Sequence, residues 1–157
     1  MNADTIVDTT PHRAQILQSA ELYDISTQSC HATRHTEAPP ALIDIELNTN
    51  ASLEAAGLDV TVTCQCAIRG DDQSSVADIG LTILVRYAFP ADFNRAAFSI
   101  DQEGELHVLR ASFPYLREGI QSLAARLGIP GIALGPIAVD IPSQSGDIDL
   151  DVDVPEE

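Results

Sequence analysis

Hydrophobic and polar residues alternate with a period of two along stretches of the first 90 residues. Such alternation places the hydrophobic side chains of a strand on one face, so it predicts half-buried β-strands. The most regular stretch is 58–69, and 41–50 and 76–89 follow the same pattern. A mixed pattern predicts a long first strand over 15–30, and two successive prolines make 31–40 a connector.

The loops between the last three of these strands are short. Parallel pairing requires a crossover of a dozen or more residues, so consecutive strands with short loops predict an antiparallel sheet. One face of this sheet carries most of the hydrophobic side chains and must be covered.

The pattern becomes helical after a crossover from 90 to 110. Ser112 predicts the N-cap, Pro114 fits the first turn, and Gly128 predicts the end of the helix. An apolar face recurs at helical spacing and consists of Leu116, Ile120, Leu123 and Leu127. This face and the apolar sheet face exceed what one short chain covers. We therefore predict a homotetramer whose interface contains these four side chains.

The two ends of the chain differ in composition from its middle. Residues 1–13 are polar and predict a flexible acidic arm, and 142–157 are rich in Asp and predict an acidic disordered tail. The length of 157 residues suits one domain, which we place at 14–141.

The formal net charge of −16 excludes some classes of partner. An acidic surface repels phosphate backbones and anionic headgroups, so we expect neither nucleic acid nor membrane insertion. The N-terminus has acids where a signal peptide needs a basic region, and three cysteines do not make a disulfide framework. We expect a soluble cytoplasmic protein with free thiols.

Candidate metal ligands and catalytic residues give weak signals. Cys30, His31 and His35 match no common zinc spacing, and Cys64 and Cys66 are expected to be small buried hydrophobic residues. The sequence has neither a nucleophile elbow nor a glycine-rich phosphate loop. We predict a protein that is not an enzyme and uses neither a cofactor nor a metal.

The helix region carries a resemblance to a known family. The run Phe113-Pro114-Tyr115-Leu116-Arg117-Glu118 resembles the F-P-Y-A-R-E signature of SecB, the export chaperone. Tyr23-Asp24-Ile25-Ser26 resembles the family's K-D-I-S, and Leu134-Gly135-Pro136-Ile137 resembles its L-A-P-V. Order and spacing agree from about residue 15 to 141.

The resemblance implies an α+β fold: a four-stranded antiparallel Greek-key sheet followed by one long helix. It also implies a dimer of dimers. The family's second helix is short or missing here, because Pro142 and the acidic tail follow soon after Ile141.

The resemblance further implies an ATP-independent holdase that binds unfolded polypeptide segments in an apolar groove. We expect this groove to be lined by Phe89, Phe93, Phe98, Ile43 and Leu47. The alternative is a non-catalytic small-molecule binding domain or an enzyme with an unrecognised site. An enclosed pocket with convergent polar groups would favour that alternative, whereas a long open apolar groove favours a holdase.

The sequence departs from the family where export members dock on the translocation motor SecA. Asp24 is a possible docking residue, but Gln28 replaces a second acid, and Thr82 and Arg86 lie where the fourth strand has an acid. SecB-like proteins that protect an aggregation-prone antitoxin diverge in this way. We expect SecA binding to be weak or absent, and the clients to be either preproteins or an antitoxin.

Overall fold

The computed structural model describes residues 20–94, 100 and 102–132. These residues contain four strands and a long helix: β1 (Glu21–Arg34), β2 (Leu42–Leu53), β3 (Gly57–Arg69), β4 (Ser75–Ala88) and α1 (Gln102–Arg126). The strands form one antiparallel sheet in the order β1-β4-β3-β2. Hairpins join β2 to β3 and β3 to β4, while β1 lies beside β4. This is the predicted Greek-key sheet followed by one long helix.

The alternating residues of β3 and β4 form the core. Cross-strand partners such as Val60 with Val85 and Val62 with Ile83 are buried on the face that α1 covers. The opposite face, called here the outer face, carries residues such as Thr61, Thr63 and Gln65, which are at least partly exposed. Burial on one side and solvent on the other is the reason for the clean period of two in β3. In β4 the outer-face residue Leu84 is also buried, so its pattern is less regular.

Helix α1 packs on the sheet through a row of residues spaced four apart. The buried positions of this row are Gly104, Val108, Ser112, Leu116, Ile120 and Ala124. Rows of this spacing are inclined to the helix axis. The helix is therefore expected to cross the sheet obliquely.

Contacts at the two ends of α1 agree with an oblique path. Near its start, the Thr49 hydroxyl of the edge strand β2 donates a hydrogen bond to Glu105 Oε1. At its end, Arg34 Nη1 of the opposite edge strand β1 donates to the carbonyl oxygens of Leu127 and Gly128, at 2.7 and 3.1 Å. The helix leaves two corners of the sheet face exposed, one on β2 and one on β1.

The predicted start of the helix was wrong. Helix α1 begins at Gln102, ten residues before Ser112, and Pro114 lies inside it. The Ser112 hydroxyl bonds back to the carbonyl oxygen of Leu109 at 3.1 Å instead of capping a helix end. A proline inside a helix costs about 3 kcal/mol, and burying Val108 and the rest of the earlier turns against the sheet offsets this cost.

The predicted end of the helix is confirmed. Gly128 has a φ of 72°, a left-handed conformation that suits glycine. Its N–H donates to Ala125 O, and the N–H of Ile129 donates to Ala124 O, both at 3.0 Å. This pair of bonds is a Schellman motif, and Ile129 is buried beside it.

Strand β1 is longer than predicted at its C-terminal end, where it continues through His31 to Arg34. Register shifts lie between Leu22 and Asp24 and between Thr27 and Ser29. Each shift moves the later residues to the other face, so a simple alternation does not describe the strand. The boundaries predicted for the acidic arm and the acidic tail, and the region where a second helix was predicted to be short or missing, lie outside the described residues.

Candidate functional site

The exposed corner on β2 is an apolar strip formed by Ile43, Ile45 and Leu47. These side chains point to the same sheet face as the core, because their cross-strand partners are Ile68, Cys66 and Cys64. Ile45 is nevertheless 49% exposed and Leu47 is 36% exposed, and Ile43 is half-buried. Their exposure follows from the oblique path of α1, which covers the strand only from Thr49 onward.

An aromatic pair lies beyond the other end of β2. Phe89 and Phe93 stack with ring centroids 3.8 Å apart and an interplanar angle of 8°. They are half-buried and line an open pocket of about 220 Å³ together with Pro90, Ala91 and the hairpin residues 55–57. Phe98, also predicted to line the groove, lies outside the described residues.

Four of the five residues predicted to line a groove are described, and the fold arranges them as two separate patches. Leu47 and Leu53 are six residues apart on β2, which corresponds to about 20 Å of extended chain, and the aromatic pair lies past Leu53. Thr49 and its partner Glu105 lie between the patches. An extended polypeptide running along β2 is long enough to contact both.

The edges of the sheet differ in regularity. The pairing of β2 with β3 runs from Leu42 to Leu53 without a register shift. Strand β1 instead has its two irregularities at Tyr23 and Gln28. An edge strand presents unpaired N–H and C=O groups, and bulges reduce its capacity to pair with another chain. The regular edge at β2 thus combines the backbone groups of an edge strand, which pairs with β3 alone among the described strands, with exposed apolar side chains.

The residues predicted for a subunit interface have mixed positions. Leu116 is 1% exposed and Ile120 is fully buried, and both belong to the core of the chain itself. The structure therefore places these two side chains inside one subunit instead of at its surface. Leu123 and Leu127 are half-buried and pack against the same core.

Asp24 lies on the outer face and is paired within the chain. Arg86 lies 3.6 Å from Asp24 and 3.5 Å from Asp59, measured between the nearest nitrogen and oxygen atoms. Arg69 pairs in the same way with Asp44 at 3.2 Å. Three carboxylates of this face are thus paired with two arginines.

The outer face also carries a shallow polar depression of about 300 Å³. Its lining consists mainly of hydroxyl, amide and carboxylate groups of the outer face: Glu46, Asn48, Asn50, Thr61, Thr63 and Gln65. Thr49, whose side chain belongs to the opposite face, also borders it. It is open to solvent and lacks the apolar enclosure typical of a small-molecule site.

The candidate zinc ligands do not converge. Cys30 and His31 are neighbours on β1 and therefore point to opposite faces, and His35 pairs with Asp78 at 2.6 Å. Within the described part of the chain, no group of three or more potential ligands is placed to hold a metal ion.

Cys64 and Cys66 are buried, as predicted, and their sulfur atoms lie 3.8 Å apart. The hydrogen bond to Cys66, together with burial, raises the pKa of the Cys64 thiol. A buried thiol with a raised pKa is unreactive, which describes Cys64. The same hydrogen bond lowers the pKa of Cys66. Both side chains are buried and contribute packing to the core.

Two residues of the candidate site were not selected from the sequence. Ile45 shares the alternation of Ile43 and Leu47, so its signal was present in the pattern. Glu105 fell in a stretch predicted to be a crossover, and its neighbourhood depends on a contact between residues 56 positions apart.

Among the described residues, no helix is long and apolar enough to cross a membrane.

Comparison with known proteins gives a structural match. Neither the family models nor the curated proteins contain a match to this chain. Among solved structures, the SecB-like chaperone Rv1957 of Mycobacterium tuberculosis, in complex with a ChAD peptide from the antitoxin HigA1 (Rv1956), is similar with a TM-score of 0.65. The similarity covers 80% of this chain and 96% of that one at 18% identity.

A protein of unknown function from Streptococcus agalactiae has a TM-score of 0.47 at 12% identity, over 74% of this chain and 98% of that one. The Mycobacterium match covers most of both chains, so it includes the sheet and the long helix that the described residues form. The chain therefore has the SecB-like fold.

Proposed function

We propose that this protein is an ATP-independent holdase chaperone that binds extended segments of unfolded polypeptides along strand β2. The observation that carries the proposal is the exposed apolar strip Ile43–Leu47 on a regular edge strand. The likeness to a SecB-like chaperone solved with an antitoxin peptide supports it.

The chemistry of the edge explains how such binding works. Main-chain groups of β2 hydrogen-bond to an extended client whatever its sequence, and alternate client side chains contact Ile45 and Leu47. The stacked Phe89 and Phe93 provide a second apolar contact past Leu53, which is itself about 20 Å along the strand from Leu47. Binding of this kind covers aggregation-prone segments and requires no nucleotide hydrolysis.

An aggregation assay without nucleotide tests the proposal. A chemically unfolded model protein is diluted with and without this chaperone, and light scattering is followed. We expect the wild type to suppress scattering and the double variant Ile45→Ser, Leu47→Ser to lose most of this activity, since both exposed contacts are removed.

The matched control is Asn48→Ala, which alters an exposed side chain on the outer face of the same strand. It should act like the wild type. No suppression by the wild type, or equal suppression by the double variant, would contradict the proposal.

For the physiological client, we infer an antitoxin in preference to exported preproteins. Docking to SecA in this family uses carboxylates on the outer face, and here Arg86 already pairs with Asp24 and Asp59. Exposed pairs contribute about 0.2–1 kcal/mol each, so docking needs several free carboxylates. Calorimetric titration with SecA should show weak or absent binding, and a tight, salt-sensitive association abolished by Asp24→Asn would oppose this inference.

We also propose that the protein assembles as a homotetramer. Leu22 is 41% exposed and Tyr23 is 60% exposed at the β1 corner, and Tyr115 on the helix is 51% exposed. These side chains, with the half-buried Leu123 and Leu127, supply apolar surface for subunit contacts. Light scattering measures the mass in solution, and a stable monomer at micromolar concentration would refute the assembly.

A further inference from the structure

We propose that Glu105 determines client specificity by pairing with a lysine or arginine side chain of the bound segment. The inference rests on the proposed holdase function and names the class of segment that the groove prefers. That class is an extended segment in which a basic residue lies two positions from an apolar residue.

Glu105 has an unusual environment for a carboxylate. It is half-buried, accepts a hydrogen bond from the Thr49 hydroxyl, and lines a narrow cleft whose other residues are Ala51, Val60, Ile100 and Val108. No arginine or histidine of the described residues is within ion-pair distance of it. The cleft itself has a volume of only about 10 Å³, too small for a side chain, so a client cation would meet the carboxylate at its mouth. The nearby apolar atoms lower the local dielectric constant, so a cation there is attracted more strongly than at an open surface.

The helix start does not by itself explain this placement. The positive end of the helix dipole favours acidic residues in the first turn, and both Glu103 and Glu105 lie there. Glu103 is exposed, whereas Glu105 turns toward the edge strand. The helix dipole therefore acts on both carboxylates, but only Glu105 lies beside the edge strand along which the client is proposed to bind.

The strand geometry fixes the spacing of the preferred segment. Leu47 and Thr49 are consecutive residues on the same face of β2, so they are about 7 Å apart. A client extended beside β2 has the same spacing. When an apolar client residue lies against Leu47, the side chain two positions along therefore reaches Glu105.

The charge of the protein favours the same class of client. The net charge of −16 attracts basic segments over a distance, while the local carboxylate selects among them by register. Long-range attraction raises the association rate of every basic segment. A dependence on the position of the basic residue therefore identifies the contribution of Glu105.

A lysine scan on the wild-type protein tests the register. The probes are fluorescent peptides built from serine with two alternating leucines, and one lysine is placed one, two or three positions beyond the pair, on either side. We expect the lysine two positions away to increase affinity about fivefold over glutamine at that position. Lysines at one and three positions should have a smaller effect, because an extended chain points them to the opposite face.

The variant Glu105→Gln then tests the residue, with Glu103→Gln as its matched control. The first should abolish the preference for lysine while leaving the affinity for the glutamine peptide within about twofold, and the second should change neither. A preference that persists in Glu105→Gln, or that is the same at all three positions, would overturn the inference. Failure of every peptide to bind would instead contradict the proposed function.

Discussion

Two corners of the same sheet face are left exposed by the oblique helix, and the strands that form them are different. At the β2 corner, Ile45 and Leu47 lie on a strand that pairs without a register shift. At the β1 corner, the exposed Leu22 is opposite the buried Tyr87 and lies beside a register shift at Tyr23, where the strand is irregular. Both corners therefore expose apolar side chains, but the backbone beside them is regular at β2 and irregular at β1.

This difference indicates different uses for the corners. A regular edge favours the addition of an extended segment of any sequence, since main-chain hydrogen bonds do not depend on side chains. An irregular edge favours contacts made by specific side chains, as in a subunit interface. The proposed client site and the proposed assembly surface follow this division.

The largest expected effect on stability comes from comparing a side chain in the buried core between α1 and the sheet with one in the exposed β2 corner. Ile120→Ala removes a fully buried side chain and should lower the free energy of unfolding by about 2–5 kcal/mol. Ile45→Ala, the same change at a side chain that is 49% exposed, should cost less than about 1 kcal/mol because little buried area is lost.

Urea denaturation followed by circular dichroism measures both values. Equal losses for the two variants would mean that the β2 corner is covered in solution, by another subunit or by part of the chain outside the described residues.

A smaller effect is expected at the contact that holds the helix end on β1. Arg34→Ala removes two hydrogen bonds to carbonyl oxygens of the helix end and should lower the free energy of unfolding by about 1–3 kcal/mol. Arg34→Lys should restore only part of this loss, because one ammonium group does not reproduce the planar guanidinium fork.

The control is Arg69→Ala, which breaks the exposed pair with Asp44 and should cost about 0.2–1 kcal/mol. Amide hydrogen exchange in the last turn of α1 gives an independent measurement. Unchanged protection there in Arg34→Ala would show that the Schellman motif holds the helix end without the arginine.

The sheet could be predicted from the sequence because its pattern is local. Alternation in β3 reports burial on one face, and short loops report antiparallel neighbours, so neither inference requires a distant contact. The end of the helix could be predicted for the same reason, because a glycine such as Gly128 is the residue that most easily adopts the left-handed conformation found there. The strip on β2 was predicted in part, because Ile43 and Leu47 stand in an alternating pattern.

The remaining features depend on contacts between distant parts of the chain. Ser112 and Pro114 have the local chemistry of a helix start, and tertiary burial of the preceding turns overrides that signal. Two contacts near the ends of α1 join distant residues. Arg34 bonds to Leu127 and Gly128, which are 93 and 94 residues away, and Glu105 bonds to Thr49, which is 56 residues away. No pattern along the sequence indicates such pairs, so neither the exposed corner on β1 nor the contact between Glu105 and Thr49 was predicted.

The smallest effect is expected beneath the β1 corner, at Tyr87, which is the cross-strand partner of Leu22. Its side chain is 1% exposed, and its hydroxyl has no hydrogen-bond partner among the described residues. A buried hydroxyl without a partner costs free energy. Tyr87→Phe should therefore leave the free energy of unfolding at pH 8 unchanged or raise it by about 1 kcal/mol.

The pH dependence gives this prediction a second measurement. Burial raises the pKa of Tyr87 in the folded state above its ordinary value, which is about 10. The folded state then holds its proton more tightly than the unfolded state, so stability is fully present below pH 10 and is lost as the pH rises through the folded pKa. The variant lacks this group, and its advantage over the wild type should grow between pH 8 and pH 11. A loss of more than about 1 kcal/mol in Tyr87→Phe at pH 8 would contradict the prediction, because it would show that the hydroxyl has a hydrogen-bond partner in solution.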